Sequence, residues 1–134
     1  RLGHEPRVAM LSFSTFGNPG WPTADRVREA VSLMDSRVTD FEYDGEMSAD
    51  VALNPELKEL YPFCRLSGPA NVLIMPALHS ANISSKLLQE LGRGTLIGPI
   101  LVGLSKPVQI AAMGASVGDL VNMAALAAHE AARS

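Results

Sequence analysis

From Gly98 to Ala131 the chain reads GPILVGLSKPVQIAAMGASVGDLVNMAALAAHEA, two short apolar runs followed by a glycine turn and a helical pattern. The runs are 100–104 and 108–113, and Gly114, Ala115 and Ser116 make the turn. Ser116 is a good N-cap, and Asp119 three residues later brings the arrangement close to a capping box. Val117, Leu120, Val121, Ala124, Ala125 and Ala128 recur at helical spacing, which predicts a helix over 117–131 with one apolar stripe inward. A strand end feeding a helix through small residues is where α/β proteins place anions, since free N–H groups and the helix dipole converge there. The plainer reading is a buried strand, a turn and a packed helix with no ligand at all.

The same alternation recurs upstream. Strands over 8–14, 71–75, 99–103 and 108–113 alternate with helices over 24–36, 47–60, 81–91 and 117–131. This predicts an α/β fold, three layers deep, with a parallel or mixed sheet carrying helices on both faces. The run RVAMLSFST suits a buried parallel strand, and the Gly/Pro-rich segment 16–22 a loop. Thr23 is placed to cap a helix whose buried face is Val27, Ala30, Val31 and Met34. Ser12, Ser14 and Thr15 at the strand's end could hold a phosphate; the simpler reading has their hydroxyls satisfying turn backbone. Residues 39–44, TDFEYD, alternate as in a half-exposed strand and run into a turn, Asp44-Gly45-Glu46. Its two carboxylates could bind a cation or share a proton, or simply start the next helix at its positive end. That helix stops at Asn54-Pro55, and Pro55 opens a short one through Tyr61. NVLIM over 71–75 reads as a second buried strand. A helix with Ile83, Leu87, Leu88 and Leu91 inward follows, ended by Gly92 or Gly94.

Candidate reactive groups are few. Cys64 beside Arg65 invites a nucleophile, because a neighbouring cation lowers a thiol's pKa, but a lone cysteine is more often a packing residue. His4, His79 (in a strand-to-helix loop) and His129 have no metal-site spacing, so no metal is expected. With 134 residues, 47% hydrophobic and 19% charged, the chain is about one globular domain. A net charge of −3 gives no reason for a nucleic-acid partner. One cysteine excludes an intrachain disulfide and suits a reducing, cytoplasmic compartment. The apolar runs are too short or too glycine-punctuated to span a membrane, and no signal peptide is evident. The chain opens on Arg1 without a methionine and reads as a piece of a longer polypeptide.

GPIL-x-GL-x-KPV followed by G-x-SV-x-D-[IL]-VN resembles the C-terminal signature of the phosphotransacetylases (phosphate acetyl/butyryl transferases). RVAMLSFST with RVREAVSLMD, then DGEMSADVALNPEL, then GPANVLIMP with NI-x-x-KLLQ-x-L resemble earlier blocks of that family in the same order. DGEMSADVALNPEL and YPFCRLSGPANVLIMP look most like the branch fused behind NADP-dependent malic enzymes. The resemblance implies the phosphotransacetylase (isocitrate/isopropylmalate dehydrogenase-like) fold, in which one lobe is inserted in the other. It makes this chain a fragment of a two-lobed domain, 1–97 being the later part of the inserted lobe and 98–134 the return to the first.

In active members of the family, coenzyme A thiolate attacks the carbonyl of acetyl phosphate without metal or redox cofactor. A Ser-Arg pair before the turn glycine holds phosphate and developing charge, and an Asp shortly after assists thiol deprotonation. Here those positions read Ala112, Met113, Gly114 and Asp119, and Ala77 and His79 stand where active members tend to carry Asp and Asn. Losing one charge-stabilising donor costs about a hundred- to thousandfold in rate, so no catalytic residue is expected here. The resemblance then implies acetyl-CoA as a regulatory ligand of Gly98, Pro99, Met113, Gly114, Ser116 and Asp119. It implies an upstream malic enzyme domain, converting malate to pyruvate and CO2 with its own NADP and divalent metal, and no cofactor for this segment. It also implies a homodimer or higher oligomer; Trp21 and Phe16 on the first loop are candidate contacts, or else simply pack within that loop. Two alternatives stay open: an active phosphate acetyltransferase (acetyl-CoA and phosphate to acetyl phosphate and CoA), and a purely structural oligomerisation module.

Overall fold

The computed structural model describes residues 3–37, 39–92 and 94–132, in two compact units, 1–85 and 86–134. The first is organised around β1 (Arg7–Leu11), which pairs in parallel with β2 (Glu42–Met47) on one side and β3 (Val72–Ile74) on the other. As the central strand β1 needs cover on both faces, hence its continuous apolar run. Ala9 and Leu11 join Met47, Val51, Ala52, Leu66 and Ala70 in the core, closed by α2 (Ala49–Leu53) and the connection before β3. Val8, on the other side of the pleat, is buried outside that cluster, as are Ala24 and Val31 of α1 (Pro22–Asp35), which packs on β2 and β1.

Several boundaries differ from the sequence expectation. Helix α1 begins with Trp21 as N-cap and Pro22 in the first turn; Thr23, expected as the cap, is inside the helix. Proline's fixed φ and missing N–H make it the starter. The half-exposed strand expected over 39–44 forms later in the chain, at Glu42–Met47. Asp44-Gly45-Glu46 therefore lies within a strand, not in a turn. Gly45 is required by close approach: a Cβ there would stand 2.6 Å from the Met10 carbonyl oxygen and 2.8 Å from Met10 Cβ, at φ +145°. The helix over 47–60 forms in two pieces, α2 and α3 (Pro55–Lys58), and Asn54 caps the second by accepting from the Glu56 N–H at 2.9 Å. Strand β3 is not the buried strand expected: Leu73 packs on the core while Val72 and Ile74 are exposed, because β3 has one neighbour and one bare face.

The second unit begins within α4 (Leu78–Leu91). This helix starts three residues before the expected 81, so His79 sits in its first turn and not in a loop. Ile83, Leu87, Leu88 and Leu91, expected inward, are exposed, and α4 buries no residue. Gly92 ends it, its N–H donating to the Leu88 carbonyl at 2.8 Å. Helix α5 (Val117–Ala131) forms over the residues expected, but its stripe of Val117, Leu120 and Val121 is exposed and Met123 is its buried residue. The strands expected over 99–103 and 108–113 do not form: among the described residues no fourth or fifth strand joins the sheet through them. A β run has no ladder without a partner for its N–H and C=O groups. Gln109 gives partial order instead, accepting from the Leu101 N–H and donating to Glu130 Oε2, both at 3.3 Å. No helix among the described residues is long and apolar enough to cross a membrane.

Candidate functional site

In the second unit, two turns and two helices enclose a cavity of about 320 Å3. Gly98 and Pro99 come from one connection; Ala112, Gly114 and Ala115 come from a turn closed by the Ala115 N–H donating to the Ala112 carbonyl at 3.0 Å. Helix α4 contributes Lys86 and Gln89, and α5 contributes Asp119, Asn122 and Met123. Of the residues singled out in sequence, Gly98, Pro99, Ala112, Gly114 and Asp119 meet at this cavity. Met113 and Ser116 are not in its lining, and the Met113 side chain is fully exposed. The capping box is complete: Asp119 Oδ2 accepts from the Ser116 N–H and Oγ–H, both at 2.8 Å, and the Asp119 N–H donates to Ser116 Oγ at 3.2 Å. Those two donors, the backbone N–H first, hold the Asp119 carboxyl below its ordinary value. The position expected to attract an external anion thus already carries the chain's own carboxylate.

The described lining offers an ammonium, two side-chain amides, an engaged carboxylate and apolar wall. It has no hydroxyl, guanidinium, imidazole or thiol. Such a surface can bind and orient a ligand with amides and apolar methylenes; its one cation, Lys86, is on an exposed side chain, and the described lining has no hydroxyl to act with it on charge developing on oxygen.

The first unit holds two buried carboxylates whose partners the sequence did not reveal. Glu46 is fully buried, and its Oε1 accepts from Ser14 Oγ–H at 2.9 Å, the Gly17 N–H at 2.7 Å and Arg28 at 3.2 Å, while Arg28 also pairs with Asp25. Thr15 and Ser48 bond each other, and Ser12 Oγ accepts from the Ser14 N–H. The hydroxyls that could have held a phosphate are therefore spent on protein, two of them accepting from backbone N–H groups as in the simpler reading, beside a carboxylate. Asp44 accepts from the Arg65 N–H at 2.7 Å and from its guanidinium; Arg65 also bonds Asp35 at 2.5 Å and lies 4.8 Å over the Tyr43 ring. Each acid of the Asp44–Glu46 pair thus meets its own arginine, and the two share no proton. Nothing in the one-dimensional pattern links Arg28 to Glu46 or Arg65 to Asp35. With Arg65 committed to carboxylates, burial dominates at Cys64 and raises its thiol pKa, against the nucleophile reading. Among the described residues, no group of three His, Cys, Asp or Glu could hold a metal ion.

The sequence profile of the phosphate acetyl/butaryl transferase family matches residues 1–128. An NADP-dependent malic enzyme of Rhizobium meliloti is 66% identical over 98% of this chain, which spans only 17% of that relative. A phosphate acetyltransferase of Thermoanaerobacterium thermosaccharolyticum is 44% identical over 97% of the chain, and 40% of the relative is covered. The crystal structure of a phosphotransacetylase from Streptococcus pyogenes superposes with a TM-score of 0.89 at 40% identity, covering 98% of this chain and 40% of that one. The parallel sheet, its flanking helices and the match along nearly the whole chain agree: it belongs to the phosphate acetyl/butaryl transferase family and forms part of a larger domain of that fold.

Proposed function

We propose that this chain is the phosphotransacetylase-like part of an NADP-dependent malic enzyme, inactive as a transferase, and that it binds acetyl-CoA as a regulatory ligand. The observation that carries the reading is the cavity wall at 112–114. Ala112 lines it without a hydroxyl, and Met113, lying outside the lining, brings neither charge nor hydrogen-bond donor. The family resemblance puts serine and arginine at those two positions in active members. The high identity to a malic enzyme supports the parentage, in which malate, NADP and a divalent metal belong to an upstream module. The shape left by Gly98, Pro99 and Gly114 supports a retained ligand cavity.

Two measurements on the full-length protein test this. Coenzyme A-dependent consumption of acetyl phosphate is expected at least about a hundredfold below that of an active transferase, from loss of even one charge-stabilising donor. Malate-dependent NADP reduction, titrated with acetyl-CoA, is expected to change with saturation. Ordinary transferase turnover would establish the second reading, an active phosphate acetyltransferase, which draws support from the transferase relatives. Self-association is the remaining part of the proposal. Phe16 packs against Tyr61 and Phe63 with ring centroids 5.5 and 4.9 Å away, which leaves Trp21, exposed on the same loop, as the contact candidate. Light scattering of Trp21→Ala against wild type checks it; an unchanged mass removes Trp21 from any interface.

A further inference from the structure

Charge is unevenly placed around the 320 Å3 cavity, and that placement orients a ligand. On the α5 side the helix N-terminus is filled by the Asp119 carboxylate, which takes both Ser116 donors. A phosphate brought to that turn would meet a like charge at short range. On the α4 side stands Lys86, the one cationic side chain among the described lining residues. Its ammonium has three donors and makes one long contact, 3.4 Å to Gln89 Oε1. The same lining includes Ala111, Ala112 and Ala115, with no polar side-chain atom. We propose that Lys86 is the anion anchor of this cavity: it takes a phosphate of an acyl-CoA, and the acyl-pantetheine arm lies against the apolar part of the lining. The inference rests on the acyl-CoA reading above and adds direction to it. The volume agrees, since it lies near the small end of the ~300–1,000 Å3 typical of ligand pockets and has room for only part of so long a molecule. Lys86 is itself exposed, as a residue meeting the outgoing diphosphate at a rim must be.

The test uses the full-length protein as wild type, Lys86→Met and Lys86→Arg, with acetyl-CoA binding followed by calorimetry at low and at physiological salt. Lys86→Met is expected to weaken acetyl-CoA about three- to tenfold, the range for an exposed charge-assisted contact, and Lys86→Arg to restore most of it. The gap between wild type and Lys86→Met is expected to narrow at the higher salt, where exposed charges are screened. Equal affinity of Lys86→Met and wild type overturns the anchor, and so does a gap that salt leaves unchanged, since that is a loss of shape. Lys86-dependent heat from acetyl phosphate, without any from acetyl-CoA, overturns it in favour of a small phosphate. No heat from wild type with acetyl-CoA at millimolar concentration removes the acyl-CoA reading itself, and the anchor with it.

Discussion

Removing the Glu46 carboxylate should loosen the whole loop from Ser12 to Asn18. One oxygen, Oε1, takes three donors from three places: Ser14 at the end of β1, Gly17 in the loop and Arg28 on α1. Breaking a buried ion pair by deleting one partner typically costs about 3–5 kcal/mol. Here the Arg28 side chain is 38% exposed and keeps Asp25, so water and a second carboxylate compensate it. The cost that survives is mainly the two donors left without a partner, the buried Ser14 Oγ–H and the half-buried Gly17 N–H, together about 2–3 kcal/mol. At 1.4 kcal/mol per factor of ten, Glu46→Ala should speed amide exchange at Gly17 by about 30- to 150-fold in the full-length protein. Glu46→Gln should do less. Its carbonyl can replace Oε1, but its NH2 then occupies the place of Oε2, which is buried without a partner, so about tenfold is expected. The Phe16 N–H donates to the Glu46 backbone carbonyl at 2.8 Å and should respond later than Gly17. Unchanged exchange at Gly17 in Glu46→Ala would refute the claim that this carboxylate holds the loop. A larger effect from glutamine than from alanine would refute the division of the cost.

Three further outcomes follow from single groups. Gly45→Ala pushes a methyl to 2.6 Å from the Met10 carbonyl at a φ of +145°, so about 3 kcal/mol of destabilisation is expected, read as a lowered melting temperature; no shift would mean β2 does not lie this close to β1. Asp119 has a folded pKa lowered by Ser116, so its stabilisation of α5 is complete above the ordinary aspartate value of 3.8 and is lost as pH falls through the lowered folded value. Amide exchange at Asp119 and Leu120 across pH 5 to 2 checks this, and constant protection over that range would contradict it. Cys64, with its thiol pKa raised by burial, should react with maleimide at pH 7 more slowly than a free cysteine, and a faster rate would reopen its role as a nucleophile.

What sequence could and could not supply is clearest at the helices. Ser116 and Asp119 act over three residues of chain, so their capping box was legible and α5 begins where they place it. The α1 stripe was legible in part, since periodicity assigns residues to a common face: Val31 is buried and Val27, Ala30 and Met34 are half-buried, while Ala24, outside the expected set, is buried too. Periodicity does not say what covers that face. Ile83, Leu87, Leu88 and Leu91 share a side of α4 and all four are exposed. Runs 100–104 and 108–113 failed as strands by the same logic, because apolar character proposes a strand while only a neighbouring ladder makes one. Gly45 misled in a different way. Glycine marks turns and close backbone approach alike, and the choice between them depends on Met10, 35 positions away in the chain, which no local pattern contains. At the cavity, Gly98, Pro99, Gly114 and Asp119 of the expected set line one wall while Met113 and Ser116 do not; Lys86 and Gln89 come from a separate helix and were not foreseen.

The fold decides less about function than these two kinds of position do. A relative named NADP-dependent malic enzyme and one named phosphate acetyltransferase both match along nearly the whole chain, so overall identity does not separate those two names. The separation must lie in groups that meet charge. Acyl transfer develops negative charge on oxygen and needs a fixed cation and hydroxyl at that point, whereas holding an acyl-CoA needs a cation only where its phosphates leave the cavity. On the function proposed above, Ala112 and Met113 carry neither of the groups the first requires, and Lys86, in the cavity lining, would meet the second. Ala112→Ser with Met113→Arg should therefore raise transferase turnover at least tenfold from a low baseline. It should leave the Lys86-dependent affinity for acetyl-CoA within about threefold, since exposed charges at separate points couple weakly. If the double substitution altered binding as strongly as turnover, the cavity would be a single catalytic unit, and the division between holding and reacting would be wrong.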